Sequence, residues 1–170
     1  MKKQICNLVS KVTSGKVCLG WCEEKQPLDF NQMLDICWKT ALGITKEAKL
    51  YQASSPRGLN FVHAVFRGDF TEYDTIIVNC YSNGEVRGYT LESPYMEDQV
   101  IHPPLKMTEK EAEVCLYDAG YPKQWTTVVL RSPLYSVHYP PLYIFSIPND
   151  KGVEYIAVDS TNGKNVFPMY

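Results

Sequence analysis

The chain has 170 residues, 45% of them hydrophobic and 21% charged, and a net charge of −2. That length suits one domain or two small units sharing a core. The mild negative charge excludes nonspecific attraction to nucleic acid or to an anionic membrane surface, and no apolar run reaches the roughly 18 residues that a spanning helix needs.

Residues 1–27 read as an N-terminal hairpin and linker. "ICNLVSKV" alternates in part, Thr13-Ser14-Gly15 supplies a turn, "KVCLGW" returns, and the polar "CEEKQP" follows. Two lysines open the chain, but Ser10 and Lys11 break the apolar stretch after them. No small-residue cleavage site follows, so no signal peptide is expected.

Residues 28–94 open with a helix. Asp29 is an N-cap with Gln32 three positions on, a capping box. Phe30, Met33, Leu34, Cys37, Trp38 and Ala41 recur at spacings of three and four and so share a face. Gly43 is the expected stop. Strands follow in "AKLYQA", "NFVHAVFRG" and "YDTIIVNCY". In the second of these, Phe61, His63, Val65 and Arg67 share one face, and Val62, Ala64 and Phe66 the other. Ser82-Asn83-Gly84 is a turn and "EVRGYTLES" the returning strand.

Residues 95–107 form an aperiodic, proline-rich stretch that reads as a linker, and residues 108–170 restart the pattern. Thr108 caps a second helix, with Glu111 completing the box and Ala112, Cys115, Leu116 and Ala119 as its stripe, and Gly120 stops it. Then come strand "WTTVVLRS", loop "PLYSVHYPP", strand "LYIFSIP", turn Asn149–Gly152, strand "VEYIAVDS", turn Asn162-Gly163 and strand "KNVFPM". Asp29 and Thr108, Gly43 and Gly120, and the two Asn-Gly turns are each offset by roughly 80 residues. The fold class expected is therefore α+β: two tandem helix-plus-antiparallel-sheet units with an N-terminal hairpin.

The stretch "PLYIFSIPNDKGVEYIAVDSTNGKNVFPM" resembles the strand core of PepSY-type domains, with Tyr155, Val158, Asp159, Thr161, Gly163, Lys164 and Val166 on the pattern of their last hairpin. Asn162 and Asn165 are extra to that pattern. The resemblance implies a helix packed on a small antiparallel sheet, and a role in inhibiting or chaperoning proteases or in binding generally. It implies no catalytic residues. Cystatin-like folds and bacterial immunity proteins share the helix-on-sheet outline.

The chemistry-bearing residues assemble no motif. Cys18 and Cys22 lie four apart, which is not Cys-x-x-Cys spacing, and no second pair completes a metal site. His63 sits mid-strand and His102 in the linker. Acidic pairs such as Glu97-Asp98 read as solubilising. The six cysteines are scattered through apolar runs and read as reduced thiols, which favours a cytoplasmic location.

What remains is a chain with 12 tyrosines and 11 prolines. Arg131, Tyr135, His138, Tyr139 and Tyr143 flank or fill one Pro-rich loop, where aromatic area on a pre-set backbone suits a protein partner. The function expected is a non-enzymatic protein-binding module of inhibitor or immunity type, with a protease or toxin as partner. It calls for no cofactor, metal, nucleic acid or membrane. The alternatives are a cysteine-dependent hydrolase or transferase working with His138 or His63, and a small-ligand binder with a pocket between sheet and helix.

Overall fold

The computed structural model of the protein describes residues 26–58, 60–68, 75–91, 98–134 and 140–169. The expected N-terminal hairpin lies outside them. Two helices and eight strands follow in the order α1 (Phe30–Ile44), β1 (Lys49–Pro56), β2 (Phe61–Arg67), β3 (Thr75–Tyr81), β4 (Val86–Leu91), α2 (Glu109–Asp118), β5 (Thr127–Arg131), β6 (Leu142–Asn149), β7 (Gly152–Asp159) and β8 (Val166–Met169).

Both helices begin at their capping boxes. Asp29 Oδ1 accepts the Gln32 N–H at 2.9 Å, and Gln32 Oε1 accepts the Asp29 N–H at 3.0 Å. Thr108 Oγ1 accepts the Glu111 N–H at 3.3 Å, and Glu111 Oε2 accepts the Thr108 N–H at 2.7 Å. Each box satisfies donors that a helix start leaves free. Helix α1 runs through Gly43 and ends one residue later, whereas Gly120 (φ 91°) does follow α2 as expected. The α1 stripe of Phe30, Met33, Leu34, Cys37 and Ala41 is buried, and Trp38 meets Phe66 edge to face at 5.7 Å.

The sheet corrects the expectation of two tandem helix-plus-sheet units. Strand β1 pairs antiparallel with β5, from Gln52↔Arg131 to Pro56↔Thr127. All eight strands thus form one antiparallel sheet in the order β4-β3-β2-β1-β5-β6-β7-β8. Strand outweighs helix among the described residues, and the two described helices share a single core. Residues of α1, α2 and every strand from β1 to β7 except β4 belong to one buried cluster. The physical reason lies in the edges. Two separate sheets would each expose the unpaired backbone of β1 or β5, and pairing the two removes both liabilities. Among the described strands, β4 and β8 are the edges.

The proline-rich stretch before α2 is more than a spacer. Ile101 is fully buried, and its N–H donates to the Leu50 carbonyl at 2.8 Å. The Gln99 N–H donates to the Ser132 carbonyl at 2.8 Å. This stretch is therefore fastened to both β1 and the end of β5.

Candidate binding surface

A strand sends successive side chains to opposite faces. In this sheet the helices cover one face, and the other carries no described helix. The second face is assembled from alternate residues placed side by side by the register. His63 lies between Ser54 and Asn79, Asn79 lies beside Arg87, and Ile77 lies beside Tyr89. Phe61 pairs with Tyr81, their ring centroids 5.7 Å apart.

The β4-β3-β2-β1 half of this face is aromatic and cationic. The Arg87 guanidinium lies over the Tyr81 ring at 5.6 Å, and that of Arg67 over the Tyr51 ring at 5.6 Å. Tyr51 reaches this face through a bulge between Leu50 and Gln52, where the register with β2 shifts by one residue. His63 Nδ1 and Asn79 Oδ1 are 2.7 Å apart, so the ring is held by a neighbour in the adjacent strand. Tyr89 is 47% exposed at the β4 edge, and Tyr155 is 50% exposed on β7. Between them Val65, Ile77 and Leu142 are buried. These three are already covered within the chain, so what this face offers a partner is its Tyr, Arg and His side chains, residue types that concentrate binding energy in protein interfaces.

Of the residues expected to form the partner-binding loop, Arg131 and Tyr143 lie among the described residues. Tyr135, His138 and Tyr139 lie outside the described residues. Arg131 and Tyr143 sit on adjacent strands but on opposite faces, because Arg131 pairs with Leu142 and Tyr143 with Leu130. Tyr143 is fully buried. Its hydroxyl donates to the Met107 carbonyl at 3.0 Å and accepts from Asn31 Nδ2 at 3.5 Å, and its ring meets Phe30 edge to face at 6.2 Å. Burial pushes this phenol up to about 12. It is a core residue, not a surface contact. Arg131 belongs to the helix-free face, where its Nη2 bonds Asp98 Oδ1 at 2.6 Å. Asp98 is itself buried, so the acid expected to solubilise a linker holds an arginine instead. Asp98 Oδ2 and Arg131 Nε have no hydrogen-bond partner among the described residues.

The described cysteines Cys37, Cys80 and Cys115 are free. The Cys37 thiol donates to the Val78 carbonyl at 3.6 Å, and burial, reinforced by Cys80, pushes it up to about 12. Burial raises Cys80 as well. A thiol kept protonated at neutral pH is a poor nucleophile, which removes Cys37 and Cys80 as centres for the hydrolase alternative. No group of three or more metal-ligating side chains occurs among the described residues.

No protein-family model matches the chain. No curated protein matches it either. The fold is similar to the crystal structure of a putative lipoprotein from Clostridium difficile 630, with a TM-score of 0.58 and 18% identity. The match covers 86% of this chain and 97% of that one. At that identity the likeness concerns the fold alone. No helix among the described residues is long and apolar enough to cross a membrane.

The aromatic face was partly visible in the sequence. The alternation in "NFVHAVFRG" already placed Phe61, His63, Val65 and Arg67 together. Tyr51, Tyr81, Arg87 and Tyr89 were missed, because only the pairing of β1 through β4 brings them alongside.

Proposed function

We propose that the protein is a non-catalytic binding module that sequesters a protein partner, in an inhibitor or immunity-type role. The observation that carries this reading is the face that carries no described helix, where arginines are laid over tyrosines. The sheet holds these side chains on a rigid backbone, so little ordering cost falls due on association. The PepSY-type resemblance points the same way, since such modules are associated with inhibiting or chaperoning proteases.

The test is capture of partners from native lysate by the intact chain and by an Arg87→Glu/Tyr89→Ser variant. Both positions are exposed on an edge strand. A protein retained stoichiometrically by the first and lost by the second supports the reading. Equal retention by both defeats it for this face, and a Tyr135→Ala/Tyr139→Ala variant then tests the loop.

We assign the protein to the cytoplasm on its free thiols. The description of the structural neighbour as a putative lipoprotein supports the competing placement, a lipid-anchored protein at a membrane surface. Fractionation of native cells separates the two.

A further inference from the structure

The starts of α1 and α2 meet. Asn31, in the first turn of α1, accepts the Glu109 N–H through its Oδ1 at 2.9 Å. Beside this junction a cleft of about 260 Å³ opens between the two helix starts and the turn after β1. Phe30, Met33, Trp125 and Val128 give it apolar walls, Arg57 stands at its rim, and Glu109 lines it.

Glu109 is the anomaly. Only 9% of it is exposed, and its carboxyl, whose oxygens still touch solvent, makes no hydrogen bond or ion pair within 4.0 Å to any described residue. Its neighbours are otherwise engaged. Arg57 lies over the Trp125 ring at 4.9 Å and faces Glu113 Oε1 at 3.6 Å. Asp29 Oδ1 caps α1. The groups facing Glu109 electrostatically are Glu113 and Asp29, both acidic, opposed by Lys110 and Arg57. A carboxylate this little exposed is poorly solvated, and an ammonium in the cleft offers it a stronger donor than the solvent it still reaches.

We propose that this cleft is a binding site for a primary alkylammonium group, with the ammonium on the Glu109 carboxylate and its alkyl chain along Phe30, Met33 and Val128. The volume lies below the range of about 300–1,000 Å³ typical of sites for drug-sized ligands, so the cleft fits a group the size of one side chain. An ammonium supplies up to three donors to an acceptor-only carboxylate. The same chemistry arrives on a free amine or on a lysine side chain of another protein. The site lies on the helix-bearing face and does not depend on the reading of the opposite one.

The test is a titration of the intact protein with n-butylammonium chloride at mildly alkaline pH, followed by proton–nitrogen NMR. Saturable shifts are expected at the Phe30 and Glu109 amides and at the Trp125 indole N–H, with n-butanol at least tenfold weaker. Glu109→Gln should weaken the ammonium at least tenfold. Equal binding of n-butanol, or no saturable shift at these positions, overturns the proposal. A second measurement needs no variant. The carboxyl carbon of Glu109 should titrate at lower pH in the presence of n-butylammonium, and an unmoved midpoint overturns the proposal. Binding of Nα-acetyl-lysine N-methylamide at comparable strength identifies lysine as the source, whereas binding of n-butylammonium alone identifies a free amine.

Discussion

Gly163 lies so close to Cys115 that a β-carbon on the glycine would collide with the Cys115 sulfur and come within 2.8 Å of Met107 Cε. The Asn162-Gly163 turn thus nests against α2 in a way that its sequence counterpart does not. Gly84, in the other Asn-Gly turn, has φ of 87° but nothing within 4 Å of its virtual β-carbon. At Gly163, with φ of 64°, Ala meets a backbone penalty of about 1 kcal/mol and in addition forces the Cys115 and Met107 side chains to shift. Gly163→Ala should therefore destabilise the protein clearly more than Gly84→Ala. Urea denaturation of both variants measures the difference.

Glu113 ties together the connection from α2 to β5. Its Oε1 accepts from the Tyr117 hydroxyl and from Trp125 Nε1, the latter at 2.8 Å. Trp125 is only 8% exposed, and in Glu113→Ala its Nε1 keeps just the longer bond, 3.3 Å, to the Tyr117 hydroxyl. The expected loss is about 1 kcal/mol, with a displaced indole N–H resonance for Trp125.

Stability should fall with rising pH across the weakly acidic range because of Glu109. Burial first, then the nearby Glu113 and Asp29 against Lys110 and Arg57, pushes its carboxyl from 4.5 up to about 7. The folded state therefore binds more protons than the unfolded one between these values. The stabilising effect of the protonated form is complete below 4.5 and is lost as pH rises through about 7. At 1.36 kcal/mol per pKa unit the swing is roughly 3 kcal/mol. Glu109→Gln should flatten this part of the stability profile, measured by urea denaturation at a series of pH values.

Cys37 and Cys80 should resist alkylation in the folded protein at neutral pH, since burial raises both thiols. Peptide mapping after a timed exposure to iodoacetamide reads each site separately. Their labelling should follow the rate of unfolding. Rapid labelling of either in native conditions would return a nucleophilic cysteine to consideration.

Tyr143→Phe should cost about 1 kcal/mol while leaving partner capture unchanged. The change removes a donor to the Met107 carbonyl in the core, and the residue has no exposed surface to lose.

Much of the local structure was legible in the sequence, because it is governed by neighbours in the chain. The capping boxes at Asp29 and Thr108 and the stripe from Phe30 to Ala41 obey short spacings. The joining of β1 to β5 does not. Gln52 and Arg131 carry no mark that they are cross-strand partners, since alternation tells which face a residue takes but not which strand lies beside it. Tyr143 was misplaced for a related reason. Strand β6 is buried on both faces from Leu142 to Ile147, so its aromatic residue next to a Pro-rich loop gave no alternation to separate core from surface. The carboxyl of Glu109 was hidden by its type, because an acid in the first turn of a helix is ordinarily solvated.

The central β1–β5 pairing has a consequence for dissection. A backbone cut between Leu91 and Asp98 would leave two fragments, each ending its sheet in a bare inner strand. Neither fragment should persist alone as a monomer. Mixed together, they should recombine through the matching hydrogen-bond rows of β1 and β5, which makes the protein a natural scaffold for split-fragment complementation.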